Sequence, residues 1–168
     1  MIWHARAKGY KVGCVYFRTA DEIPITSSKM NCFGNWEDFK TVLEYVHGKY
    51  VLDAETGEKQ TRLYAYGCSL GANHLGLYLV NEGERATAIL DGACLYSTPW
   101  NTRDNEEYFF KSMHGLCQRA VGLNLNRELR RKVLPKMKPY LSAEEYEAYA
   151  HALATNKTGL DHLNQHIF

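Results

Sequence analysis

The sequence predicts an α/β fold: three mainly parallel strands flanked by helices, followed by a helical segment. Three observations carry this. Apolar stretches of strand length at Tyr10–Phe17, Leu63–Gly67 and Ala86–Tyr96 alternate with stretches of helical period, the pattern of βαβ units and a parallel sheet. The first of these strands is apolar in a run, without alternation, as a strand covered on both faces requires. From Asp104 onward the strand-like runs stop and only helical periodicity remains. Residues 1–103 therefore form the core and residues 104–168 a helical segment of the same domain, a size suited to one hydrophobic core.

Taken in order, the first nine residues read as the tail of a helix stopped at Gly9. The Tyr10–Phe17 strand follows, then a long connection from Arg18 to Gly34. Asn35 is placed to cap the next helix, with Asp38 complementing the positive end of its dipole. Trp36, Phe39, Val42, Leu43, Val46 and Tyr50 recur at steps of three and four and give that helix one apolar stripe. His47 and Lys49 suit its negative end, so His47 reads as structural. A polar loop over Asp53–Gln60 leads into the second strand.

That second strand ends in Gly67-Cys68-Ser69-Leu70-Gly71, with helical Leu75, Leu77, Tyr78 and Leu79 beyond it and Gly83 to stop the helix. Strand, Gly-x-Ser-x-Gly pentad and helix in this order define a nucleophile elbow, which projects the serine clear of the sheet. Ser69 is the candidate nucleophile. Gly67 and Gly71 are expected where a Cβ would collide with the neighbouring strand or helix. Leu70 is expected to present its backbone N–H at a helix N-terminus, where donors are unpaired and negative charge is favoured. Such a donor stabilises an oxyanion.

The third strand opens the way to the Ser97–Asn101 segment, and Asp91 within it reads as a strand-start or packing residue. In the helical remainder, Tyr108, Phe109, Met113, Leu116, Cys117 and Ala120 share a face. Asn126 is placed to cap a helix that Pro135 and Pro139 interrupt or kink. Ser142-Ala143-Glu144-Glu145 is a capping box that opens the last helix.

Ser69-Leu70-Gly71-Ala72-Asn73, with Tyr78-Leu79-Val80-Asn81-Glu82-Gly83 after it, resembles the embryogenesis-associated, monoacylglycerol-lipase-like branch of the α/β-hydrolase superfamily. Three more stretches share the resemblance: Gly9-Tyr10-Lys11-Val12-Gly13 running into Phe17-Arg18, Pro24-Ile25-Thr26-Ser27 with Trp36-Glu37-Asp38, and Ser97-Thr98-Pro99-Trp100-Asn101. The glycine that usually follows the arginine is Thr19 here. The resemblance implies a partial α/β-hydrolase fold with a helical cap. It also implies hydrolysis of lipid-like carboxylic esters, such as monoacylglycerols, without a metal or organic cofactor. In that family's sheet order the Tyr10–Phe17 strand lies one place removed from the elbow strand. Only the elbow strand and the Ala86–Tyr96 strand are then expected to pair directly.

A serine needs a base, usually a histidine oriented by a carboxylate. The family places that acid and histidine after the cap and a second oxyanion donor in a His-Gly loop before the first strand, and no residue here matches these motifs. The chain thus reads as the middle of a hydrolase. His74, five residues past Ser69 on the elbow helix, points away from the mouth and reads as structural. His114 and His151 have no recognisable acid, and Asp161, His162 and His166 lack a third ligand at metal spacing. A catalytically inactive truncated paralogue or interaction module is the alternative reading.

The formal net charge of +1 argues against nucleic acid as a main partner. The one basic cluster (Arg127, Arg130, Arg131, Lys132, Lys136 and Lys138) reads as a solvated helix face, with contact to a membrane surface or an acidic partner as the other option. No stretch resembles a signal peptide or membrane span. An intracellular location, cytoplasmic or peripheral to a membrane, is therefore expected. Cys14, Cys32, Cys68, Cys94 and Cys117 are odd in number with no Cys-x-x-Cys pair. They read as free and mostly buried, Cys68 towards the core.

Overall fold

The computed structural model describes residues 1–20, 23–101, 108, 111 and 115–155, with the backbone alone at Cys117 and Gln118. Its centre is a parallel pair of strands, β1 (Tyr64–Cys68) and β2 (Gly92–Tyr96), in the register Tyr64 to Gly92 through Cys68 to Tyr96. They are joined by helix α3 (Leu70–Glu82) and the short helix α4 (Glu84–Ile89). The third predicted strand is therefore shorter than the Ala86–Tyr96 run: its first half is helical. Asp91 stands just before β2, where its carboxylate accepts from Leu63 N–H and Lys59 Nζ, both at 2.8 Å. That is the strand-start role expected of it.

The strand expected at Tyr10–Phe17 does not form; this stretch has no regular structure and no ladder with β1. It is held near β1 by side chains instead. Tyr10 packs edge-on to Tyr64 at 6.2 Å, and Phe17 edge-on to His74 at 4.8 Å. The sheet among the described residues thus has two strands, not three, and direct pairing is confined to the two strands expected to pair.

Helix α1 (Ile2–Ala7) ends at Gly9, whose φ of 86° is the left-handed stop that glycine tolerates best. Helix α2 (Glu37–Val46) continues through a π turn, His47–Val51. Its cap residue is Trp36 with no side-chain bond, not Asn35 as expected; the Asn35 amide donates to Met30 O at 3.5 Å. The stripe of α2 meets α3 in a cluster of Leu43, Leu75, Tyr78, Ala86 and Leu90, and Lys40 pairs with Glu82 at 2.8 Å on its rim.

The helical remainder runs from α5 (Leu116–Glu128) through a π turn (Leu129–Val133) into α6 (Leu134–Met137), then a single 3₁₀ turn. The π turn lies directly before Pro135, which lacks the N–H a regular helix would need there. Helix α7 (Ala143–Thr155) opens on the expected capping box: Glu145 N–H donates to Ser142 Oγ at 3.1 Å and Ser142 N–H to Glu145 Oε2 at 2.8 Å. Asn126 is not a cap. It lies inside α5, buried, and its amide donates to Leu153 O at 2.9 Å, tying α5 to α7. A second cluster, Leu129, Val133, Leu134, Met137 and Leu153, packs against Ile25 and Met30 of the long connection.

Among the described residues, only one face of the sheet is covered, by α3. On the other, Tyr64, Tyr66 and Tyr96 are 48%, 44% and 60% exposed, beside exposed Cys68 and Cys94. Cys68 therefore faces solvent and not the core, and Cys14 is exposed as well, so the expectation of mostly buried thiols fails at these three positions.

Candidate active site

Ser69 is the junction residue between β1 and α3, with φ 52° and ψ −119°. Gly83, at the other end of α3, has the same angles. A glycine adopts them freely, whereas a residue with a Cβ is strained by about 1–3 kcal/mol. The strain is held by bonds on both sides. Ser69 N–H donates to Tyr96 O at 3.0 Å, and Ser69 C=O accepts from Ala72 and Asn73 at 2.9 and 3.1 Å. Gly67 allows the tight turn, since a Cβ there would lie 2.7 Å from Ala72 Cα and closer still to the Gly71 carbonyl oxygen. Gly71 differs from expectation. A Cβ at that position meets only the Phe17 ring, at an ordinary 3.6 Å, because no paired strand flanks it.

Leu70 is the first residue of α3, and among the described residues no acceptor takes its N–H. Asn73, one turn further on, ties two loops to the elbow. Its Oδ1 accepts from Gly34 N–H at 3.3 Å and its Nδ2 donates to Pro99 O at 3.5 Å. Trp100 lies against Gly76, where an added Cβ would sit 3.1 Å from the indole and equally close to Leu95. The stretches on either side of the elbow that share the resemblance thus converge at one end of the strands.

Arg18 forms a two-pronged ion pair with Asp38 and donates from Nη1 to Ser27 Oγ at 3.0 Å. The Arg18 guanidinium holds the Asp38 carboxyl below the ordinary aspartate range, with partial burial opposing it, and Asp38 raises Arg18 in return. The sequence reading missed this triad of contacts because a carboxylate in the first turn of a helix already has a local explanation. The signal that could have found it was the presence of Arg18, Ser27 and Asp38 in the stretches that carry the resemblance.

A cavity of about 340 Å³ opens beside the elbow. Leu70 reaches it; Ile23, Ile25 and Met30 of the connection and Leu125, Leu129 and Val133 of the α5 segment form apolar walls. The α5 segment thus lies over the connection as a cap would.

No base accompanies the serine among the described residues. His74 is buried, its Nε2 donating to Cys32 O at 2.8 Å while Nδ1 has no partner. It is structural, as expected. His151 lies on the surface of α7 and His47 on the π turn after α2. His114, Asp161, His162 and His166 fall outside the described residues, as do Phe109 and Met113. Among the described residues no cluster of His, Cys, Asp or Glu could hold a metal ion, and no helix is long and apolar enough to cross a membrane.

No family model, curated protein or solved structure matches this chain.

Proposed function

We propose that the chain carries the nucleophile of a serine carboxylic-ester hydrolase of the acylglycerol lipase or esterase type, on an α/β-hydrolase elbow. The observation that carries this reading is the backbone of Ser69. A glycine-only conformation is imposed on a serine at the strand-to-helix junction, beside an unpaired N–H and an apolar cavity. Strain of this kind persists where function requires it. In the reaction, Ser69 Oγ attacks the ester carbonyl and loses its proton to a base. The tetrahedral oxyanion accepts from Leu70 N–H, and collapse releases the alcohol. Water then repeats the sequence on the acyl-enzyme and frees the acid.

The described residues supply the nucleophile and one oxyanion donor, and no base. Enzymes lacking a triad member retain only about 10³–10⁴-fold over water. Slow turnover of p-nitrophenyl butyrate is therefore expected, and weak labelling by a fluorophosphonate probe. Added imidazole should raise the turnover of the wild-type chain well above that of Ser69→Ala, because it supplies the missing base. Equal rates in the two proteins at every imidazole concentration would sink the hydrolase reading. They would favour the second one, an inactive paralogue or interaction module, which the lack of any partner for Ser69 Oγ among the described residues supports. Fast, Ser69-dependent turnover without imidazole would place a base elsewhere in the chain.

A further inference from the structure

We propose that the cavity beside Leu70 binds single-chain lipids with an anionic head group. Its volume of about 340 Å³ lies at the lower end of ordinary ligand pockets, which span about 300–1,000 Å³. That suits one hydrocarbon chain. The walls named above offer such a chain apolar contact along both sides.

The rim decides the head group. It carries Arg18, Glu128, Lys132 and Lys136. Arg18 is engaged by Asp38 and Ser27. Lys132 pairs with Glu128 at 2.7 Å, one helical turn away. Lys136, exposed on α6, has no carboxylate partner among the described residues. Arg130 and Arg131 on the preceding π turn have none either, and add to the positive potential there. Among the described residues, the net result is an apolar slot with an excess of positive charge at its edge. A ligand that buries a tail and presents a negative head satisfies both; a neutral head gains only the tail, and a cationic head is repelled. As a statement about substrate this rests on the esterase reading. As a statement about binding it does not.

The test is calorimetric titration of the purified chain with laurate, dodecyl phosphate, dodecanol and dodecyltrimethylammonium, all below their micellar concentrations. The two anions should bind about two- to fivefold more tightly than dodecanol, the range an exposed ion pair supplies. Dodecyltrimethylammonium should bind most weakly. Lys136→Glu should erase or reverse the preference and leave dodecanol unchanged, which also certifies that the variant is folded; Lys136→Arg should keep it. Anions binding no better than dodecanol, or a preference that survives Lys136→Glu, would overturn the proposal. Ser69→Ala should bind laurate like the wild type, so a failure of hydrolysis with intact selective binding would count against the esterase reading alone.

Discussion

Among the described residues, three that bear side chains occupy backbone regions that favour glycine: Ser69, Thr19 and Ser97, with φ of 52°, 64° and 51°. At the first two the strain has different meanings. At Ser69 the hydroxyl is the reason for the cost, so replacing it by glycine should relieve the backbone and destroy the chemistry together. Ser69→Gly should melt higher than both wild type and Ser69→Ala, by about 2–4 °C per kcal/mol recovered in a chain of this size. Ser69→Ala keeps a Cβ and should melt near the wild type. At Thr19 a branched side chain sits in the left-handed region, where such residues are outliers. Its φ is one that glycine adopts without strain. Thr19→Gly should therefore stabilise by about 1 kcal/mol without changing fluorophosphonate labelling. An unchanged or lower melting temperature in both glycine variants would mean that these angles cost nothing. Both positions also show what a sequence can disclose: Gly-x-Ser-x-Gly encodes a turn whose geometry is entirely local, so the elbow was legible. The need at Gly71 was not, because it depends on what lies opposite.

Among the elements, α2 is fixed at its start by chemistry that no local rule reveals. Its first turn presents Asp38 to Arg18, which lies twenty residues earlier on the connection that lines the cavity. The same limit explains the other misses. Tyr10–Phe17 has the apolar content of a strand, but a strand is defined by its neighbour, and among the described residues none forms a ladder with it. Asn126 looks like a cap by composition, and its actual bond is to Leu153, twenty-seven residues away. The Arg18–Asp38 pair has a pH signature with a definite sign. The folded carboxyl titrates below its unfolded value, so its contribution is complete above the unfolded pKa of about 3.9 and is lost as pH falls through the folded value. The pair is about one-third exposed, which limits its worth to about 1 kcal/mol. Asp38→Asn should thus melt lower than wild type at pH 7, with the difference shrinking below about pH 4 and gone once the folded carboxyl is protonated. Asp91 and Glu145 are also held low by Lys59 and by Ser142, so both proteins lose stability in acid. The difference between the two melting curves isolates Asp38. A difference that grows in acid would show that the pair is not what binds α2 to the connection.

For the molecule as a whole, a large part of the apolar surface of the described residues is left uncovered. Much of what is uncovered is apolar in kind: the tyrosine face of the sheet, and Tyr10, Val12, Val15 and Tyr16 of the unpaired stretch beside it. Among the described residues, most of the buried apolar side chains fall into two separate small clusters. A strand edge with unpaired N–H and C=O groups is a template for another strand, and an apolar face next to it adds a driving force. Unpaired backbone groups that become buried without partners cost about 1–3 kcal/mol each, against a typical total stability of about 5–15 kcal/mol. The purified chain is therefore expected to associate with itself under reducing conditions, its sedimentation coefficient rising with concentration across the micromolar range. Its thermal transition should be broad. Placing lysines on the exposed face, Tyr66→Lys with Tyr96→Lys, should suppress the association while leaving the helical circular dichroism unchanged, because neither side chain is part of a buried cluster. A monomer at all concentrations with a sharp, reversible transition would show that this surface is stable in water as it stands, and the argument from the uncovered tyrosine face would fail.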